Sequence, residues 1–235
     1  MNTELDTRSI ELSENIAAVR RRIDAALLKA GREGEEVQLL PVSKFHPAED
    51  LQRLVDLGVP MVAENREQEA RTKAEAVPGA QIHMIGQIQS KKANSVARWA
   101  AAVHSIDNER LISGLERGMS LALERGDRST AVLPCFIQLS ADGDTSRGGA
   151  VAADVDKLAA ALQEAEHLEL AGVMCVPPLG SDAAEVFAWA AGIRDGLGSG
   201  LKLSAGMSGD LEEAICAGSD VVRVGTAIFG NRPVR

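Results

Sequence analysis

Leu203-Ser204-Ala205-Gly206-Met207-Ser208-Gly209 and Val221-Val222-Arg223-Val224-Gly225-Thr226 decide the fold. Each is a short apolar run closed by a turn that carries glycine and a hydroxyl. The first turn leads into a helical pattern with Leu211, Ala214 and Ile215 on one face and Gly218 as its stop. The second opens a short helix at Gly225-Thr226. Two adjacent strand ends of this kind gather backbone N–H groups and hydroxyls, which suits a phosphate. Arg223, on the last strand just before its turn, directs a cation to the same place.

Outward from this pair the same unit recurs from Val37 onward: apolar run, polar turn, helical segment. Candidate strands cover residues 37–42, 60–63, 82–85, 102–106, 131–139, 168–175, 201–204 and 220–224. Eight strands, each followed by a helix, predict an α/β chain folded as one (β/α)8 TIM barrel over residues 37–230. Residues 1–32 read as an extra helix on the barrel's outside or lower end, with Ile10, Leu12, Ile16, Val19, Ile23 and Leu27 on one face and Gly31 after it. We expect a single domain spanning 1–235.

A barrel places functional side chains where strands end, with phosphate sites after strands seven and eight. Lys44 follows the first strand, Asn65 the second and Gly86 the third, while Ser105 closes the fourth. Ser208-Gly209 follow the seventh and Gly225-Thr226 the eighth. His83, on an apolar strand, reads as a core histidine, and Arg147-Gly148-Gly149 as a loop over the mouth.

Composition narrows the function classes. Thirty-four acidic against 25 basic residues give a net charge of −9, which argues against a nucleic-acid or anionic-membrane surface. No apolar stretch approaches the ~20 residues of a membrane span, and the start lacks the pattern of a signal peptide. A soluble, cytoplasmic protein is expected. Cys135, Cys175 and Cys216, three and widely spaced, read as buried free thiols, with no zinc-like spacing.

The motifs resemble, in order, those of the YggS/PROSC family of pyridoxal-phosphate-binding proteins, whose barrel is like the alanine racemase N-terminal domain. Val42-Ser43-Lys44, Glu64-Asn65 with Gln68-Glu69, the run from His83 to Gln89, His104 to Asp107, and the two C-terminal stretches carry the match. Arg66, Lys91 and Ala205 stand where that family usually has Tyr, Asn and Met. The resemblance implies that pyridoxal 5′-phosphate (PLP) is held as an aldimine on Lys44. Asn65 would lie near its ring, Arg223 would donate to the pyridine nitrogen, and Ser208, Gly209, Gly225 and Thr226 would hold the phosphate. An arginine at the ring nitrogen stays charged itself, so the ring would be a weak electron sink.

The resemblance also implies a monomer in PLP homeostasis, with PLP-requiring apoenzymes as candidate recipients and no strong catalytic activity. The alanine racemases use a tyrosine from a further C-terminal domain as second acid/base; this chain has no tyrosine and ends five residues after Gly230. Two alternatives stand beside this reading. One is a PLP-dependent amino-acid racemase; the other is a cofactor-free lysine enzyme acting on a phosphorylated sugar. One tension remains at this level: Asp210, Glu212 and Glu213 crowd the proposed phosphate turn.

Overall fold

In the computed structural model, which describes residues 6–231, α1 (Thr7–Lys29) precedes eight strand–helix units. These are β1 (Gln38–Pro41) and α2 (Ala48–Asp56), β2 (Met61–Glu64) and α3 (Glu67–Ala76), β3 (Gln81–Met84) and α4 (Ala93–Trp99), and β4 (Ala102–Ile106) and α5 (Glu109–Arg125). The second half repeats the alternation with β5 (Leu133–Leu139) and α6 (Ala152–Glu164), β6 (Leu168–Cys175) and α7 (Ala183–Leu197), β7 (Lys202–Ser204) and α8 (Leu211–Cys216), and β8 (Val221–Val224) and α9 (Thr226–Phe229).

All ladder pairs are parallel, in the order β1-β8-β7-β6-β5-β4-β3-β2. The barrel closes between β1 and β2 through a single bridge, Val42 with Ala63, and the Ser43 N–H to Ala63 O bond of 3.0 Å. This is the expected (β/α)8 barrel, and its closing seam lies just before Lys44. Strands read as short apolar runs because helices cover one face and the barrel interior the other. Every residue of β4 and of β8 is buried. β5 starts two residues later than its apolar run suggests, because Val132 is exposed. Gly172, at φ +153°, sits beside the register shift between β5 and β6. A Cβ there would lie 1.9 Å from the Lys202 carbonyl oxygen, so only glycine lets β6 approach β7.

α1 begins at Asp6, whose carboxylate accepts from the Ser9 N–H at 2.7 Å, a side-chain N-cap. Leu12, Ile16, Val19, Ile23 and Leu27 are buried, but Ile10 is exposed, a correction to the apolar face read from sequence. The helix packs outside the barrel against α2, α8 and α9. Its polar side chains bond carbonyls of the two short helices: Asn15 Nδ2 donates to Ile228 O at 2.8 Å, and Arg8 to Phe229 O at 3.0 Å. Arg32 donates to Ile215 O at 2.8 Å. Helix ends leave carbonyls such as Ile228 O and Phe229 O without helical partners, and α1 satisfies these two through Asn15 and Arg8.

Cys135 and Cys175 are buried, and burial pushes the Cys175 thiol up to about 11, which suits an inert structural role. Cys216 is exposed, contrary to expectation. It closes α8 on the face opposite Leu211, Ala214 and Ile215, whose burial sets which side of the helix is wet. Among the described residues no helix is long and apolar enough to cross a membrane, and no metal-holding cluster occurs.

Candidate functional site

Seven residues singled out from sequence line one cavity of about 450 Å3 at the C-terminal mouth of the barrel: Lys44, Asn65, Ser208, Gly209, Arg223, Gly225 and Thr226. They come from the ends of β1, β2, β7 and β8, as parallel strand direction requires. Val42, Ile85, Met174, Val176 and Met207 give apolar walls. The volume suits a small ligand held by a few polar groups in an apolar pocket.

The two glycine–hydroxyl turns are braced from outside. Arg22 of α1 donates to Ser208 O at 3.0 Å and grips Glu212 at 2.7 and 2.8 Å. Asp210 accepts from the Met207 N–H at 2.6 Å, and Glu213 is exposed. Two of the three carboxylates that crowd the turn are therefore tied elsewhere. That arrangement resolves the tension noted from sequence.

Arg223 is 3% exposed and donates to Ser204 Oγ at 2.7 Å and to Cys175 O at 2.9 Å. Both partners are neutral, and no salt bridge reaches Arg223 among the described residues. Burying a cation without a close ion-pair partner is costly. Asp210 acts on it only from beyond ion-pair distance, so much of its charge is left for whatever enters the cavity. Behind it the chain continues: Ser204 Oγ lies 2.9 Å from His104 Nδ1, and His104 Nε2 lies 3.0 Å from His83 Nδ1. Arginine only donates, so donation runs in the order Arg223 to Ser204 to His104 to His83, which puts the His104 proton on Nε2.

Burial lowers the His83 pKa to about 4; burial, then the charges of His83 and Arg223, lower that of His104 well below its usual value. His83 is thus the satisfied core histidine read from sequence. A histidine held neutral in the fold binds fewer protons than in the unfolded chain. Its stabilising contribution is complete above pH 6.5 and is lost as pH falls toward 4. From His83 alone, unfolding free energy should drop by about 2 kcal/mol between pH 7 and pH 5. Urea unfolding of parent and His83→Asn at the two pH values checks this; equal losses in both would reject it.

Several cavity residues escaped the sequence reading. His46, two positions past Lys44, lines the cavity, stacks on Phe229 at 4.8 Å, and has its pKa lowered by burial against the pull of Asp50. Its spacing from Lys44 was the one available signal. Gly86 lines not this cavity but an adjoining one of about 440 Å3, which shares Asn65, Ile85, Met174 and Val176 with the first. Arg147 and Gly148 line that second space, with Arg147 tied to Asp142 and Asp144. Ser105 is buried within β4, its Oγ without a partner, and lines neither cavity. Of the departures from the family pattern, Ala205 is buried and Arg66 lies 5.3 Å over the Phe45 ring.

The fold and the mouth define a barrel with a lysine, a buried arginine and two hydroxyl-bearing turns around one pocket. The chain belongs to the alanine racemase, N-terminal domain family, whose profile matches residues 13–233, and within it to the branch of pyridoxal phosphate homeostasis proteins. A pyridoxal phosphate homeostasis protein of Corynebacterium glutamicum is 56% identical over 217 residues, covering 91% of this chain and 98% of that one. The structure of PipY from Synechococcus elongatus, solved with PLP bound, superposes with a TM-score of 0.76 at 29% identity, covering 93% of this chain and 100% of that one. An alanine racemase from Corynebacterium glutamicum shares the fold at TM-score 0.65 and 13% identity; the match covers 96% of this chain and 62% of that one.

Proposed function

We propose that this protein binds pyridoxal 5′-phosphate in the mouth cavity and serves in its homeostasis, with residues 1–235 acting as one unit. The observation that carries the reading is the donor set on a single cavity. A primary amine, a buried arginine with no carboxylate partner among the described residues, and two glycine–hydroxyl turns correspond to the aldehyde, ring nitrogen and phosphate of that molecule. When bound, PLP supplies an aldehyde that links reversibly to a primary amine.

The chain's own residues divide the work. Lys44 anchors the aldehyde carbon. Ser208, Gly209, Gly225 and Thr226 grip the phosphate, while α1 holds the Ser208 turn in place through Arg22. Arg223 orients the ring from its nitrogen edge, and Asn65 borders the ring at the opening shared with the second cavity. Thr226→Ala should weaken PLP binding by about 1 kcal/mol, the worth of one hydrogen bond. Equal dissociation constants for variant and parent would count against the phosphate assignment.

The protein acts as a carrier rather than as an efficient catalyst. Racemisation requires acid/base groups on both faces of the ring, and the 235 residues contain no tyrosine. A catalytic reading has one group in its favour, His46 on the cavity wall. A visible spectrum, borohydride reduction with peptide mapping, and an alanine racemase assay separate the readings. A yellow protein with a pyridoxyl adduct on Lys44 and no racemisation supports the carrier. Turnover abolished by His46→Ala would support the enzyme, and a protein colourless in excess PLP would leave the phosphorylated-sugar reading. The carrier reading includes a monomeric, cytoplasmic protein that passes PLP to apoenzymes; chromatography and activation of a PLP-requiring apoenzyme test those parts.

A further inference from the structure

Behind Lys44 lies a buried ionic cluster that the cavity does not expose. Glu64, at the end of β2, is completely buried, and its Oε1 accepts from Lys73 Nζ at 2.5 Å and from Ser43 Oγ at 2.6 Å. Lys73, on α3 and itself buried, also donates to Ser43 O at 2.8 Å and to Glu69 Oε1 at 2.9 Å. Glu69 in turn accepts from the Phe45 N–H at 2.7 Å. Ser43 O belongs to the peptide before Lys44, and the Phe45 N–H to the peptide after it. Both peptides flanking the lysine are thus held by one connected set of charges.

The backbone bears the mark of that hold. Phe45, at φ +71°, is the one non-glycine residue of positive φ among those described. A bulky side chain adopts that conformation only where its surroundings impose it. Burying the Glu64–Lys73 pair is itself unfavourable unless its geometry is well satisfied, and Glu64 Oε2 is left without a partner. Here every member of the cluster reaches toward the same tripeptide.

We propose that Glu64, Lys73 and Glu69 are positioning residues for Lys44: they clamp the peptides on either side of it and so set the approach of its amine to the cavity. The proposal rests on the PLP reading for its functional consequence, but the clamp itself can be tested without PLP. Glu69→Ala removes the acceptor of the Phe45 N–H at a partly exposed position, and Glu69→Gln keeps an oxygen there.

Stopped-flow appearance of the visible band should be slowed at least about tenfold in Glu69→Ala, as misplaced reacting groups are. Binding of pyridoxine 5′-phosphate, which lacks the aldehyde, should stay near the parent value, and Glu69→Gln should recover most of the rate. In PLP-free protein, reductive methylation of Lys44 by formaldehyde should rise toward that of surface lysines in Glu69→Ala. Lys73→Met, checked for folding by circular dichroism, should behave as Glu69→Ala does. Parent-like capture and parent-like methylation in the folded variants would overturn the proposal, as would equal losses for both phosphates. A parent that forms no Lys44 adduct would refute the PLP reading instead, with the methylation result still judging the clamp.

Discussion

Lys44→Ala should form no borohydride-stable adduct with PLP, while the folded variant still binds the molecule through its phosphate and ring nitrogen. The expectation follows from the division of the cavity. Lys44 stands on the β1 side of the barrel seam, and the glycine–hydroxyl turns proposed to hold the phosphate follow β7 and β8. Those turns are braced by α1. Removing the amine therefore deletes the covalent link and leaves the rest of the site standing. Reduction with borohydride, tryptic mapping and equilibrium dialysis read the two parts separately. Loss of the covalent band with PLP affinity reduced but measurable is the predicted pattern. An adduct that persists in Lys44→Ala would place the anchor on another lysine, and complete loss of binding would mean that the phosphate turns contribute little.

Gly86→Ala should be among the most damaging single-methyl substitutions near the site. A Cβ at Gly86 would stand 2.0 Å from the Asn65 carbonyl oxygen and 2.9 Å from its Cα. Both are backbone atoms, so no side chain can swing aside. Either the β3 end or the β2 end must move, and Asn65 lines both cavities. Overpacking of this kind costs about 3 kcal/mol, which for a protein of this size lowers the melting temperature by roughly 10 °C. Differential scanning calorimetry should show that fall together with weakened PLP binding. A variant with parent-like melting and binding would show that the two strand ends separate freely.

Much of this was legible because barrel geometry converts order along the chain into position in space. Lys44, Asn65, Ser208, Gly209, Arg223, Gly225 and Thr226 are far apart in sequence, yet each follows or ends an apolar run. Parallel strands all finish on one face, so strand ends alone suffice to bring them together. Strand limits were legible where both faces are buried, as in β4, and less so in β5, where Val132 prolongs the apolar run into solvent. The exposed Ile10 and Cys216 were misread for a related reason. Hydrophobicity marks a residue as able to be buried, not as lying on the face that is.

The sequence by itself determined the strand–helix alternation, the two glycine–hydroxyl turns, the lysine at the first strand end and the arginine at the last. These are local properties, carried by periodicity and by residue type at turns. Only the tertiary structure decided what each charge meets. It showed Arg223 facing Ser204 and a carbonyl rather than a carboxylate, and Asp210 and Glu212 turned from the cavity toward the Met207 N–H and Arg22. It also joined Glu64, Lys73 and Glu69 to the peptides around Lys44. Electrostatic partnership depends on distances of a few ångströms between side chains on different elements. Hydrophobic pattern, which fixes only which side of an element is buried, does not encode them.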